Sequence, residues 1–353
     1  MNYIKIVIVV LEVTKMIKVN NLTKEFISNK KYEGFMGTVK GLFSNEKEHK
    51  IAVDNVSFHI KKGEIVGYIG NNGAGKSTTI KMMTGIMVPS DGSCLVNGIE
   101  PYKNRKQNAQ NIGVVFGQRT QLWWDLPLCE SFSVLKELYR VSDNAYRERM
   151  EYLDDVLELT SFIKSPVRTL SLGQRMRADL AASLLHNPKV LYLDEPTIGL
   201  DVLVKEKMRK AIIEINKNYD TTVVLTTHDL EDIEQLCSRI IIIDAGRKVY
   251  DGTLDKIKKI YNPKVCLQFE VKSADEIIRR DFNEKYKLDY NDLHIFEVGG
   301  KVNFELNEKK ISVSEIIIEV AKCTEIKKID VVEKNITDII KGIYENGIEE
   351  DVL

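Results

Sequence analysis

The chain has 353 residues, 43% of them hydrophobic, which suits two domains or one large domain with an appendage. Its formal net charge of −1 gives no electrostatic reason to expect nucleic acid. The five cysteines are scattered without paired spacing, which argues against a disulfide framework or a zinc site and for free thiols in a reducing compartment.

No apolar run is long enough to span a bilayer. The nearest, Ile4 to Val13, contains Lys5 and Glu12 and lacks a small-residue cleavage site. Residues 1–15 therefore read as an N-terminal extension, with Met16 as the natural start of the fold. If the protein works at a membrane, another chain supplies the spans. Met16 to Asn21 alternates apolar and polar residues, as a half-buried strand does, and Ala52 to Ile60 repeats the pattern through Val53, Val56, Phe58 and Ile60. Between them, residues 27–50 read as an insertion. Tyr32, Phe35, Met36, Val39, Leu42 and Phe43 fall on one helical face, while Gly34, Gly37 and Gly41 weaken the helix in isolation. Such a helix needs a surface to fold on.

Lys61-Lys62-Gly63 is a turn into the short buried strand Glu64 to Ile69. Gly70-Asn71-Asn72-Gly73-Ala74-Gly75-Lys76-Ser77-Thr78 follows and fits G-x-x-x-x-G-K-[ST], the phosphate-binding loop. Thr79 to Met83 reads as the helix leaving it. In that geometry successive backbone N–H groups and the positive helix end converge on phosphate oxygens. Lys76 adds a point charge between the β- and γ-phosphates, and Ser77 offers a hydroxyl to Mg²⁺. The rival reading is a glycine-rich turn with an exposed lysine.

Pro89 to Gly92 reads as a turn, followed by a short strand pair through Val96, Asn97 and Gly98; Ile112 to Phe116 is a buried strand. From Leu126 to about Leu185 the pattern is mostly helical. Within it, Leu170-Ser171-Leu172-Gly173-Gln174 opens a helix with apolar Leu172, Met176, Leu180 and Leu184, and Ser171 is a good N-cap. A Ser/Gly helix start presents free N–H groups, a second anion site. One chain thus offers two phosphate-binding helix ends, and one γ-phosphate can be gripped by an end from each of two subunits.

Val190 to Leu193 is an apolar strand ending in Asp194-Glu195, and Thr222 to Thr226 is another, followed by Thr227 and His228. In a parallel sheet, ligands sit beyond the carboxyl ends of the strands. Asp194 there suits a Mg²⁺ ligand, Glu195 suits polarisation of an attacking water, and a neutral His228 suits holding that water against the γ-phosphate. The bland alternatives are solvated acids before a turn and a structural histidine. Ile240 to Ile243 and Lys248 to Tyr250 close a hairpin around Ala245-Gly246. Strands alternating with helices imply a parallel sheet with crossover helices. After Gly252 the order becomes strand (265–271), helix (275–281), hairpin around Gly299-Gly300, helix (312–321), strand (328–332), helix (337–344). That order reads as a small α+β domain, ferredoxin-like in sequence of elements.

These residues resemble an ABC-type ATPase, the nucleotide-binding subunit of an ATP-binding-cassette transporter. The resemblance covers about 17–252 and rests on Gly70–Thr78, on Gln118 after a strand, on the LSGGQ-like Leu170–Gln174, on Val190–Glu195 and on His228. It implies a P-loop NTPase fold of the ABC type: a parallel core, an antiparallel β subdomain and a helical subdomain at about 118–186, together spanning 16–254, with 255–353 as an accessory domain. It implies ATP and Mg²⁺, ATP hydrolysis coupled to transport, and a head-to-tail dimer with a second copy or a homologous subunit. Ser171, Gly173 and Gln174 then contact ATP held by the partner, and Asp201 bridges the two sites. Gln118 touches Mg²⁺, and Phe26 stacks on adenine, with a core role as its rival. Leu172 departs from the pattern, replacing its first glycine and narrowing the approach to the γ-phosphate.

The insertion, with Lys30, Lys31, Lys40 and Lys47 around its apolar face, resembles the extra helix of polysaccharide and teichoic-acid exporter ATPases. It would dock on a transmembrane permease or the inner lipid surface; a lid on its own domain is the alternative. Trp123-Trp124 lies where the family receives the permease's coupling helix, with core packing of at least one as the rival. The segment Val331 to Ile339 loosely resembles the ending of ABC-2-type exporter ATPases, and no glycan-binding β-sandwich is apparent. The resemblance therefore points to an exporter ATPase on the cytoplasmic face of the cell membrane. The alternative is a soluble ABC ATPase acting on ribosomes or DNA.

Overall fold

The computed structural model describes residues 15–29, 47–117, 119–261, 265–278, 282–290, 292–307, 310–332 and 336–346. The chain divides into two compact units, Met1–Thr253 and Leu254–Leu353. The order in the first is β1 (Lys15–Asn29), β2 (Lys47–Lys61), β3 (Ile65–Gly70), α1 (Lys76–Met83), β4 (Asp91–Val96), α2 (Arg105–Ala109), β5 (Ile112–Phe116), α3 (Leu128–Tyr139), α4 (Asp143–Leu157), a 3₁₀ turn (Val167–Thr169), α5 (Leu172–Leu184), β6 (Val190–Asp194), α6 (Val202–Tyr219), β7 (Thr222–Thr226), α7 (Leu230–Leu236), β8 (Arg239–Asp244) and β9 (Arg247–Thr253).

Two sheets share one core. Six strands run β5-β6-β7-β3-β8-β9, parallel except for β9, which closes the edge as a hairpin with β8. Three antiparallel strands run β2-β1-β4. Fully buried Ile17, Leu22, Val56 and Ile60 of the small sheet pack in one cluster with Tyr68, Tyr192, Val224 and Ile241 of the large one and with Ile80 and Met82 of α1. The central strands read as continuous apolar runs because parallel strands are covered on both faces. Their carboxyl ends carry the polar groups: Gly70 on β3, Asp194 on β6, and Thr226 on β7 with His228 two residues beyond.

The structure refines three sequence expectations. Residues 27–29 and 47–50, at the two ends of the expected insertion, are strand: β1 and β2 pair as far as Asn29 and Lys47. No core demands this extension, since Ile27 and Ile51 stay exposed; backbone pairing and the Glu25–His49 contact at 2.7 Å carry it, so no buried face announces it. The amphipathic run Tyr32 to Phe43 lies outside the described residues, as does the extension 1–14. The expected strand pair at Val96–Gly98 is a single bridge, Val96 to Ile99, after β4. Both tryptophans are partly exposed, Trp123 at 39% and Trp124 at 49%, so neither is a core residue. The guanidinium of Arg175 lies 5.6 Å from the Trp124 ring, a placement that needs the ring face open.

The second unit holds α8 (Leu254–Tyr261), β10 (Val265–Val271), α9 (Asp275–Ile278), α10 (Phe282–Tyr286), β11 (Leu293–Val298), β12 (Lys301–Leu306), α11 (Val313–Cys323), β13 (Ile326–Val332) and α12 (Ile336–Asn346). Its antiparallel sheet runs β11-β12-β10-β13, the ferredoxin-like order. The alternating residues Leu267, Phe269, Val302 and Phe304 fill its core, with Phe282 of α10 set edge-on to Phe304 at 5.5 Å.

Candidate functional site

The loop between β3 and α1 is shaped by backbone. Gly75 has φ +104°, and a Cβ there would lie 2.4 Å from the carbonyl oxygen of Ala52, so only glycine fits. The Lys76 ammonium donates to the carbonyls of Gly70 (2.6 Å) and Asn71 (3.1 Å), which folds the loop around it. Burial lowers its pKa, opposed by the nearby Glu195 and Asp194 carboxylates. Ser77, next along α1, is exposed. Thr79 is locked behind the loop, its hydroxyl donating to the Gly75 carbonyl and accepting from Tyr68 Oη, both at 3.1 Å.

Opposite the loop, β6 and β7 are in register so that Asp194 faces Thr226. The Thr226 hydroxyl donates to one Asp194 oxygen; among the described residues the other has no protein donor. Glu195 then turns sharply, with φ +56°, a left-handed conformation uncommon for a side chain of its size. The Glu195 carboxylate accepts from the His228 backbone N–H at 3.3 Å, and its other oxygen lies 3.4 Å from His228 Nε2. Burial raises the Glu195 pKa, against the His228 N–H and Lys76, which lower it. Burial and Lys76 together lower that of His228. The pair thus tends toward neutral imidazole beside a carboxylate that protonates more readily than usual.

One cavity of about 830 Å³ is lined by Asn71, Asn72, Gly73, Gly75, Lys76, Ser77 and Thr78 on one side and by Asp194, Glu195 and His228 on the other. Phe26 stands at its rim, 39% exposed and with Lys24 Nζ 5.5 Å from its ring centroid, so it is not a core residue. Gly70 and Ala74 support the loop from behind: both are buried, and a Cβ on Gly70 would meet Ala74 Cβ at 3.1 Å. Gln118 lies outside the described residues. Lys50, Lys81 and Arg119 also line the cavity and were not singled out from the sequence. Lys50 was detectable as the cross-strand partner of Phe26, but only once the register of β1 and β2 is known.

The signature helix start stands apart. Ser171, Gly173, Gln174 and Asp201 are not among the residues lining this cavity. Ser171 and Gln174 form a capping box: the Gln174 N–H donates to Ser171 Oγ (3.2 Å), and the Ser171 N–H donates to Gln174 Oε1 (2.9 Å). Gly173 is required by packing, since a Cβ there would meet Val204 at 2.9 Å. Leu172 lies beside Gly199 of its own chain, where a Cβ would come 3.1 Å from its methyl. Asp201 caps α6, accepting from the Val204 N–H at 3.0 Å.

The ABC transporter family model matches residues 53–198. NatA of Bacillus subtilis, an ABC transporter ATP-binding protein, is 32% identical over 215 residues, covering 61% of this chain and 87% of NatA. This chain belongs to the ABC transporter ATP-binding proteins. As such an ABC ATPase, it resembles the methionine import ATP-binding protein MetN of Haemophilus influenzae at 34% identity, over 76% of this chain and 71% of MetN. It spans about 15% of the length of a mouse ABC-type organic anion transporter that it matches. Among solved structures, the ATP-binding cassette MJ0796 in a dimeric post-hydrolysis state with ADP and Pi superimposes with a TM-score of 0.56 at 28% identity, over 68% of this chain and 99% of that one. This ABC subunit binds and hydrolyses ATP, in a family whose cassettes dimerise and work with membrane-spanning subunits. Among the described residues no helix is long and apolar enough to cross a membrane.

Proposed function

We propose that this ABC ATPase is the motor of an exporter: a head-to-tail pair, at the cytoplasmic face of a membrane, that drives a separate permease. The observation that carries the pairing is the separation of the two phosphate-binding helix ends. The α1 end, Lys76, Asp194, Glu195 and His228 meet in one cavity, whereas the α5 start at Ser171 lies outside it. A second copy supplying Ser171, Gly173 and Gln174 would complete the pocket, with Asp201 at the junction.

In this reading Gly70 to Thr78 cradle the phosphates with backbone N–H groups, and Lys76 leaves its carbonyl contacts to meet them. Phe26 takes the adenine face. Ser77 Oγ and the Asp194 carboxylate are hard oxygen donors of the kind Mg²⁺ accepts, and with Gln118 they would hold it; the ion would supply positive charge against the phosphates. Glu195 takes a proton from the attacking water, and His228 keeps that water in line. Export rather than import rests on the likeness of the C-terminal segment and of the insertion to exporter ATPases.

The test is Glu195→Gln. With ATP and Mg²⁺ the variant is expected to accumulate as a dimer in analytical ultracentrifugation, while turnover falls about 10²–10³-fold. A variant that stays monomeric at saturating ATP overturns the pairing. Co-purification of a membrane-spanning permease with the chain, and transport assays of the pair in inverted vesicles, decide direction: ATP-driven uptake into them means export, and release means import.

A further inference from the structure

The first unit carries a second cavity, of about 630 Å³, at the opposite end of the parallel sheet from the nucleotide site. Gln110, His186 and Tyr219, which line it, all precede sheet strands, and Arg140, Ser142 and Arg149 come from the turn between α3 and α4 and from α4 itself.

Arg149 is the residue that calls for a ligand. It is 8% exposed. Its guanidinium stacks 3.9 Å from the Tyr219 ring centroid, and among the described residues it has no hydrogen-bond acceptor and no carboxylate within ion-pair distance. The side chain is mostly buried, and its guanidinium meets only the aromatic face and the cavity, so its charge stands at the cavity wall without a counter-charge. Burial pulls its pKa below the ordinary arginine value, yet a guanidinium does not deprotonate in proteins.

The surroundings favour an anion. The 15-residue helix α4 begins at the cavity, with Ser142 as its N-cap, so its positive end faces the same space. Arg140 is exposed at the rim and also lines an adjoining cavity of about 480 Å³ with Lys103, Arg105 and Lys106. His186 adds no charge: burial pushes its pKa down to about 4, and its Nε2–H donates to the Ile112 carbonyl at 2.9 Å. The single acidic residue lining the 630 Å³ cavity, Glu148, is solvent-exposed.

We propose that this cavity binds a small, multiply charged phosphate ester, with Arg149 as buried anchor, the α4 start as second contact, and Arg140 with the adjoining lysines taking a further phosphate. This does not depend on the transport direction or on pairing of the ATPase. The ester could be a soluble metabolite or a phospholipid headgroup, and two arms separate them.

The first arm is equilibrium dialysis of radiolabelled inorganic pyrophosphate against the full chain carrying Lys76→Ala, which disables the nucleotide loop. About one site per chain is expected, weakened about 10-fold or more by Arg149→Gln and several-fold by Arg140→Gln. The second is flotation with phosphatidate–phosphatidylcholine vesicles; binding that Arg149→Gln abolishes assigns the ester to lipid. ATP turnover of the two arginine variants in the otherwise unaltered chain should stay within about twofold of the parent, a result that a merely structural arginine would not give. Should Arg149→Gln fail to fold, Arg140→Gln and Lys106→Gln carry the same comparison. Millimolar pyrophosphate and vesicles both failing to bind, or binding equally to all variants, overturns the proposal.

Discussion

Glu195 is held in a left-handed turn, beside His228 and in range of Lys76, and burial makes its carboxyl harder to ionise. Uncommon backbone and shifted titration at one residue are features that cluster at working sites. On the proposed role the carboxylate must be ionised to accept a proton. Its raised pKa therefore places the acid limb of the turnover profile above the ordinary glutamate value of 4.5. His228 is shifted the other way, so the inflection of its ring falls below 6.5. A kcat/KM profile from pH 4 to 9, which reports the nucleotide-free enzyme, tests this. A limb at or below 4.5, or a second one at 6.5, contradicts the assignment. Replacing His228 with Ala should lower kcat by about 10–100-fold while KM for ATP changes little, because the ring acts on the water and not on the bound nucleotide.

The helix α5 ties this chemistry to the region after β5. Its Asp179 is 4% exposed and accepts from the Thr120 hydroxyl (2.8 Å) and the Gln121 N–H (3.1 Å). Burial outweighs these contacts and raises its pKa to about 6. A carboxyl whose folded pKa exceeds its unfolded value of 3.8 favours the fold fully only below 3.8, and that contribution is lost as pH rises through about 6. Asparagine keeps the accepting oxygen and cannot ionise. Asp179→Asn should therefore gain on the parent in urea-denaturation free energy between pH 4 and 7, by at most about 3 kcal/mol. A pH-independent difference would mean that the carboxyl is not shifted. The strands and the phosphate loop were legible in the sequence because burial on both faces forces continuous apolar runs, and because a tight approach such as Gly75 to Ala52 forces glycine. The capping box was half legible: Ser171 reads as a cap, but no local pattern assigned the Gln174 side chain to the Ser171 N–H. The outer ends of β1 and β2 bury nothing and left no pattern. Lys50, Lys81 and Arg119 come to the cavity from separate elements, and no local spacing marks them.

At the scale of the whole molecule, each unit has what it needs to fold. The first has a six-stranded sheet and a shared core with the small sheet; the second has a four-stranded sheet around Leu267, Phe269 and Phe304, with Ile257 of α8 and Ile339, Ile340 and Ile343 of α12 buried as well. Only the first contains the nucleotide cavity. A ligand that binds one folded unit stabilises that unit by RT ln(1 + [L]/Kd), about 2.7 kcal/mol at a hundred times Kd. Denaturation of the Glu195→Gln chain, in which slow turnover preserves the nucleotide, should then show two transitions, of which ATP with Mg²⁺ moves one. Fragments 1–253 and 254–353 identify them: the first should bind ATP alone, and the second should unfold cooperatively with a midpoint that ATP leaves in place. If the intact chain unfolds in a single transition, or if both transitions move together, the units are energetically coupled, and the accessory unit would then sense nucleotide.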